Sequence, residues 1–139
     1  MKNIKLNNNK DALVFDYGMT KEYFYLEELE CVFRRGSDIF FIQETKTTDL
    51  MPTVNEEVVK GYFKDLCKVL ESSGRFLMCG EDTVFNTEKV LDYSVAHNKK
   101  ILTLCFESSN ITCEFDSIEK LKQAEDLICS FINTNQNEK

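Results

Sequence analysis

Short segments rich in aromatic and β-branched residues fill most of this chain, and most of them are joined by turns of only a few residues. Such segments predict β-strands. Turns this short cannot make the crossover that parallel strands require, so neighbouring strands should be antiparallel. The nine predicted strands cover residues 12–17, 23–26, 29–34, 39–44, 76–79, 83–86, 90–95, 101–107 and 111–115.

Two helices interrupt this pattern. The first is predicted over about residues 55–72, because Thr53 and Glu56 have the spacing of a capping box and apolar residues then recur at helical intervals. Gly74 is placed to end it. The second is predicted over about residues 117–133, where Asp116 and Glu119 give a similar start and an apolar stripe follows.

The chain also aligns weakly with itself at a shift of about 62 residues, which pairs Gly18 with Gly80, Ile39 with Ile101 and Cys67 with Cys129. Identities are few, so two unrelated β-rich halves that each end in a helix are the alternative. We predict one α+β domain over residues 1–139, an antiparallel β-sheet of about six to nine strands with both helices packed on one face. A duplicated ββββα unit would occupy residues 12–74 and 75–135.

One hairpin allows a prediction of register. If Leu102, Leu104 and Phe106 face the core, then Ile111 and Cys113 must face it from the next strand. Opposed residues share a face, so the sum of their numbers must be odd. A pairing of Phe106 with Cys113 around a turn at Ser109 and Asn110 meets this condition.

The charge is acidic, with 17 Lys and Arg against 24 Asp and Glu and a net charge of −7. Acidic residues are spread through both halves, with no acidic tail and no basic arm. Because a negative surface repels phosphate groups, this balance predicts that neither nucleic acid nor an anionic membrane is a direct partner.

Six cysteines raise the question of disulfides. The first residues contain no apolar core of a signal peptide, and the longest apolar runs, such as residues 39–42, have only four residues and are too short to span a bilayer. We therefore predict a cytoplasmic protein with reduced thiols. Each cysteine has apolar neighbours, which favours a place in the core.

Motifs for catalysis, metals and cofactors are missing. His97 is the single histidine and lies in a predicted turn. The cysteine spacings match no structural zinc site, and no glycine-rich loop joins a strand to a helix. The sequence therefore predicts no enzyme, no catalytic residue, no metal and no cofactor.

Two features favour recognition. Arg34 and Arg35 are adjacent at a predicted hairpin tip, where guanidinium groups could hold a phosphate or carboxylate. The alternative is a solvated turn. Tyr23 and Tyr25 flank another aromatic residue, which leaves neither face of that strand polar. Such a strand is either covered on both faces or forms an interface, for example in a homodimer.

Six carboxylates on strand ends and loops are candidates for a partner-binding acidic patch: Glu27, Glu28, Glu30, Glu81, Asp82 and Glu88. Such a patch could dock on a protein with a basic surface. We predict a non-enzymatic inhibitor or immunity-type protein that covers the basic surface of a nucleic-acid-handling enzyme. In size, acidity and lack of motifs the chain resembles small phage-encoded inhibitors of bacterial defence, such as anti-CRISPR proteins. The resemblance is one of kind and involves no specific residues.

Two other functions stay open. One is a small-ligand binding protein that holds an anionic metabolite or nucleotide with Arg34 and Arg35. The other is a dimeric secretion-type chaperone, a class of small acidic α+β proteins. Those chaperones usually begin with an amphipathic helix, whereas this chain begins with polar residues and a strand.

Overall fold

The computed structural model describes residues 3–50 and 55–137, with the side chains of residues 4–49 and 55–130. This part of the chain forms eleven strands and two α-helices, which confirms the α+β class with antiparallel sheets. The strands are β1 (Asn3–Leu6), β2 (Ala12–Asp16), β3 (Lys21–Tyr25), β4 (Leu29–Arg35), β5 (Asp38–Gln43), β6 (Thr47–Leu50), β7 (Phe76–Met78), β8 (Thr83–Asn86), β9 (Asp92–Ala96), β10 (Ile101–Cys105) and β11 (Asn110–Glu114). The helices are α1 (Glu56–Glu71) and α2 (Ile118–Asn137).

The strands form three sheets in place of the single predicted sheet. The first sheet has the order β1-β2-β3, the central sheet β6-β5-β4-β8-β7, and the third sheet β11-β10-β9. Neighbouring strands are antiparallel in all three. Strand β8, which follows α1, joins the central sheet beside β4 and so connects the two halves of the chain.

The central sheet is buried on both faces, and each face carries its own helix. Val32 and Phe41 face one core, which includes the first sheet and α1. Cys31 and Phe85 face the other core, which includes the third sheet and α2. The prediction that both helices pack on one face is therefore wrong. The cause is the uninterrupted apolar run at residues 39–42, because alternate side chains of a strand point to opposite faces.

The described residues form two strands more than the upper limit of the predicted six to nine, because β1 and β6 were not predicted. Both are only four residues long: Asn-Ile-Lys-Leu has two apolar residues, which pack against the first core, and Thr-Thr-Asp-Leu has one. Both lie at sheet edges, where backbone pairing with one neighbour forms the strand. The nine predicted strands all correspond to observed ones.

Helix α1 lies where it is predicted, and α2 begins where it is predicted but continues to Asn137, four residues beyond its predicted end. The side chain of Asn55 accepts a hydrogen bond from the Val58 amide at 3.0 Å and caps the start of α1. Thr53, the proposed first residue of the capping box, lies outside the described residues. No helix in the described ranges is long and apolar enough to cross a membrane.

The hairpin of β10 and β11 has the predicted parity, with Leu102 opposite Cys113. The turn, however, lies two residues earlier than expected, because Cys105 pairs with Asn110 and the Phe106 amide donates to the Ser109 carbonyl. The reason is a contact from another sheet. Glu30 accepts hydrogen bonds from Ser108 and Ser109 and so holds that turn in place.

The order of elements recurs along the chain. Strands β2 and β3, a short 3-10 helix, strands β4 to β6 and α1 are followed by β7 and β8, a second 3-10 helix, strands β9 to β11 and α2. Each run contains five strands, one more than the predicted ββββα unit.

All six cysteines are free thiols, and four of them are buried. Burial raises the pKa of the Cys67 thiol to about 12 and moves that of Cys31 upward as well. The pKa of Cys79 is raised by its hydrogen bond to Cys113 and by burial. Cys105 and Cys129 are partly exposed.

We expect at most two thiols of the native protein, Cys105 and Cys129, to react rapidly with 5,5′-dithiobis(2-nitrobenzoate) at pH 8. A thiol with a pKa of about 12 is ionised to only about one part in ten thousand at that pH. All six should react in 6 M guanidinium chloride, which serves as the control. Rapid reaction of three or more thiols in the native protein would contradict this prediction.

Candidate functional site

A groove of about 750 Å³ lies at one end of the central sheet, beside the third sheet. We call it the tip groove. It is lined by residues 33–36, 79–83 and 110–116, which belong to the β4–β5 turn, the β7–β8 turn, and β11 with the residues that follow it. Arg34 and Arg35 lie at this tip, as the sequence predicts. Gly36 has a φ of +64°, which a glycine adopts without strain in this two-residue turn.

Arg34 holds the tip together. One of its guanidinium nitrogens donates to Asp82 at 2.8 Å, and the other donates to the Gly36 carbonyl at 2.6 Å and to Glu56 at 3.4 Å. Its side chain is only 9% exposed. Its guanidinium is therefore already occupied by oxygens of the protein, which makes Arg34 a positioning residue for the surrounding turns.

Arg35 points elsewhere and is exposed. Its guanidinium carbon lies 5.5 Å from the centre of the Phe33 ring, and Phe33 in turn stacks on Phe40 at 5.0 Å. This cation–π contact orients the side chain, and within the described ranges no salt bridge occupies its guanidinium. The assignment of Arg34 and Arg35 to an anion site stays a prediction.

A second basic turn borders the same groove. Strands β9 and β10 are joined by residues 97–100, and His97, Lys99 and Lys100 are all exposed there. The Lys100 ammonium lies 3.4 Å from the carbonyl oxygen of Asp116, a residue that lines the tip groove. His97 contacts Glu125 at 3.1 Å, so the single histidine sits in an exposed turn, as predicted.

Helix α1 adds a basic stripe that sequence reasoning missed. Lys60, Lys64 and Lys68 recur at intervals of four residues and therefore share one side of the helix. They line a second groove, of about 770 Å³, that shares Arg34 and Asp82 with the tip groove. The four-residue spacing is present in the sequence, but a net charge of −7 gives no indication of a local basic surface.

The six acidic candidates do not form one patch. Glu81 and Asp82 are exposed in the β7–β8 turn at the tip groove. Glu27, Glu28 and Glu88 are exposed in the two 3-10 helices near the other end of β4, roughly 16 Å away along the strand. Carboxylates this far apart belong to separate surfaces.

Glu30 lies inside the protein and is 1% exposed. Its carboxylate accepts hydrogen bonds from the Ser108 amide at 3.2 Å, the Ser108 hydroxyl at 2.7 Å and the Ser109 hydroxyl at 2.9 Å. It joins the central sheet to the third sheet and does not belong to any surface patch. Its neighbours Glu27 and Glu28 are exposed, and no sequence signal separates the three.

Tyr23 and Tyr25 are about half exposed, at 53% and 52%. They lie on β3, opposite the buried residues Val14 and Ala12 of β2. Among the residues that the structure covers, β3 pairs only with β2, so its outer edge is open. The assignment of these tyrosines to an interface stays a prediction.

Comparison with known proteins gave a likeness of fold only. No protein-family model and no curated protein matches the sequence. One similar solved structure is the LytTr DNA-binding domain of a protein described as a methyl-accepting/DNA response regulator from Bacillus cereus. The two share 10% sequence identity with a TM-score of 0.56, and the match covers 86% of this chain and 97% of that chain.

This likeness contradicts two predictions. A DNA-binding domain has a similar fold, so the net charge is no ground for excluding nucleic acid as a direct partner; that exclusion is contradicted, and the acidic inhibitor with a basic protein partner is withdrawn with it. The error came from treating the net charge as a property of every surface. Charges act over about 8 to 10 Å at physiological salt, so a local group of lysines and arginines can attract phosphate in an acidic protein.

Proposed function

We propose that this chain binds DNA directly, with the two basic turns at the tip groove as its contact surface. The protein acts by binding and not as an enzyme, and it works in the cytoplasm. The observation that carries the proposal is the position of Arg35 and of Lys99 and Lys100. These side chains come from turns that occupy the same place in the two runs of strands, and both turns border one groove.

The charges at these turns are available to phosphate. Arg35, Lys99 and Lys100 form no ion pair with any residue in the described ranges, and the Lys100 ammonium donates to the carbonyl oxygen of Asp116. Salt bridges to carboxylates would have to break before phosphate could bind, and these three side chains have none. Arginine and lysine contacts to phosphates supply most of the affinity of non-specific DNA binding.

The neighbouring residues have supporting roles. Arg34 fixes the β4–β5 turn against Asp82, which removes one negative charge from the groove while holding Arg35 at the tip. Lys64 and Lys68 extend the basic surface along α1. Glu81 and Glu114 also line the tip groove and repel phosphate, which limits DNA contact to the outer rim formed by the turns.

The likeness to a LytTr DNA-binding domain supports this proposal at the level of fold. With 10% identity, no contact residue can be transferred from that protein. The support is that this arrangement of strands and helices serves DNA binding in another protein.

A triple variant tests the surface. Replacing Arg35 by Ala, Lys99 by Ala and Lys100 by Asn should weaken binding to a fluorescein-labelled 30-bp duplex by about 500-fold at 0.1 M salt, because three lost phosphate contacts reduce the slope of log K against log[salt] by about 2.7 in total. Asn is chosen at position 100 because Lys100 has a φ of +57°, which Asn tolerates. Fluorescence anisotropy between 0.05 and 0.3 M NaCl measures both the affinity and its dependence on salt.

Lys46→Ala is the matched control. Lys46 is an exposed lysine in the β5–β6 turn, at the opposite end of β5 from the tip groove. Its loss should change the affinity by less than about threefold, as expected for a charge remote from the contact. Absence of salt-dependent binding by the unmodified protein would overturn DNA binding, and equal losses in the control and the triple variant would overturn the assignment to the basic turns.

A further inference from the structure

Strand β4 of the first run of strands pairs antiparallel with β8 of the second run, and this pairing joins the two runs within one molecule. Val32 of β4 lies opposite Val84 of β8, and the Arg34 amide donates to the Asp82 carbonyl at 2.8 Å. Because amides alternate along a strand, the amides of Val32 and Arg34 both point toward β8. In the order of elements, β9 is equivalent to β4 and β3 is equivalent to β8.

Register identifies the equivalent residues. Arg35 pairs with Asp38 across a two-residue turn, and Ala96 pairs with Ile101 across a four-residue turn. Aligning these closing pairs makes Val32 equivalent to Tyr93. Val32 and Tyr93 also lie on equivalent faces of their sheets, because Val32 packs in the core that contains α1 and Tyr93 packs against the core that contains α2.

The 3-10 helices that follow β3 and β8 identify the equivalent residues of these two strands. The short 3-10 helix after β3 begins at Leu26 and the one after β8 begins at Thr87, which makes Tyr23 equivalent to Val84. Tyr23 and Val84 also lie on equivalent faces of their sheets. The residue after each of them points to the opposite face: Phe24 packs between the first and central sheets, and Phe85 packs between the central and third sheets.

Within the ranges that the structure describes, strand β9 pairs only with β10, so its other edge is open and carries outward-pointing backbone groups. Along β10, the Phe106 amide and the Lys100 carbonyl bond to β11, so the odd-numbered residues of β10 face β9. They lie opposite Ser94 and Ala96, which leaves the amides and carbonyls of Tyr93 and Val95 on the open edge. In agreement, the Tyr93 amide donates to the side chain of Asp92 at 2.8 Å and not to a strand.

Strand β3 has the complementary edge. Hydrogen bonds from the Tyr17 amide to the Thr20 carbonyl and from the Leu26 amide to the Asp11 carbonyl show that even-numbered residues of β3 face β2. The amide and carbonyl of Tyr23 therefore point outward. Val84, the equivalent of Tyr23, is fully buried beside β4, whereas Tyr23 is 53% exposed.

We propose that β9 of one molecule pairs antiparallel with β3 of a second copy of this chain, with Tyr93 opposite Tyr23, as Val32 is opposite Val84 within one molecule. The third sheet of one copy and the first sheet of the next then form one six-stranded sheet. The carbonyl of Tyr23 replaces the Asp92 carboxylate as the acceptor for the Tyr93 amide. The two edges differ, so the contact is head-to-tail and each pair leaves one β3 edge and one β9 edge free for further copies.

Proline at outward-pointing positions tests the edges without breaking the existing sheets, because only the unpaired amide is lost. The unmodified protein should show a weight-average mass that rises with concentration beyond twice the 16.2 kDa of one chain in sedimentation equilibrium. Tyr23→Pro and Val95→Pro should each stay at the mass of one chain. Thr112→Pro, on the other edge of the third sheet, is the matched control and should associate like the unmodified protein.

Mixing the two inactive variants gives the decisive result. Tyr23→Pro keeps an intact β9 and Val95→Pro keeps an intact β3, so an equimolar mixture should form a dimer of twice the mass of one chain and nothing heavier. Circular dichroism and thermal melting check that each variant folds. The proposal is overturned if the unmodified protein stays monomeric up to 0.5 mM, if Tyr23→Pro associates normally, or if the folded variants do not pair when mixed.

Discussion

Glu30→Ala should lower the free energy of unfolding by about 3 kcal/mol. The carboxylate is 1% exposed and accepts three hydrogen bonds from Ser108 and Ser109, two of them shorter than 3.0 Å. Hydrogen bonds to a charged group are worth about 1.5 to 3 kcal/mol each, and the variant leaves the Ser108 amide without its acceptor. The loss acts where the central and third sheets meet, so it weakens the contact between two layers.

Urea denaturation followed by circular dichroism measures this loss. Glu30→Gln keeps the shape of the side chain but removes the charge, and it should cost about half as much. Glu28→Ala is the matched control, because Glu28 is exposed and close by in the chain, and it should stay within about 0.5 kcal/mol of the unmodified protein. Equal stability of Glu30→Ala and Glu28→Ala would show that the Glu30 contacts do not stabilise the fold.

Glu30 also shows where prediction from sequence ends. Local signals located the nine stronger strands and both helices, because period, capping and turn chemistry act over a few residues. The contact between Glu30 and Ser108 joins residues 78 positions apart. Nothing near Glu30 in the sequence distinguishes it from the exposed Glu28, so both were assigned to the same surface.

The layered arrangement was missed for a related reason. Apolar residues at 39–42 were read as a strand, but their meaning for the fold is that β5 needs cover on both faces. Which elements supply that cover depends on long-range pairing such as that of β4 with β8. A hairpin that follows a helix can join either sheet edge, and its own residues do not decide between them.

For the candidate site, the sequence identified the hairpin tip with Arg34 and Arg35 but not their different roles. Arg34 is bound to Asp82, 48 positions away, while Arg35 is exposed and lies over the Phe33 ring. No sequence signal marks Lys99 and Lys100 as part of a binding surface. Their significance depends on the third sheet placing that turn beside Asp116 and the tip groove, which is a property of the folded chain.

Phe41→Ala should be the most destabilising of the substitutions considered, at about 4 kcal/mol. Phe41 is fully buried between the first and central sheets, stacked on Phe24 at 4.5 Å and edge-on to Phe15 at 5.5 Å. Removing a buried phenyl ring costs about 3 to 5 kcal/mol, because the transfer free energy is lost and a cavity remains. The loss of two aromatic contacts adds to this.

Phe40→Ala is the matched control on the other face of the same strand. Phe40 is only partly buried and stacks on Phe33 at 5.0 Å, so its loss should cost about 1 to 2 kcal/mol. Because domains of this size are stable by about 5 to 15 kcal/mol, Phe41→Ala could fail to fold, and Phe41→Leu then gives a smaller loss of about 1.5 kcal/mol that urea denaturation can measure.

The comparison tests the layered fold itself. Phe41 belongs to the core that holds the first sheet, and Phe40 packs against the core that holds the third sheet. If the central sheet joins both layers into one cooperative unit, each variant should shift the whole transition and leave its slope unchanged. Equal losses for Phe40→Ala and Phe41→Ala would contradict the burial of Phe41. A second transition in Phe41→Ala would show instead that the first sheet and α1 unfold separately from the rest of the chain.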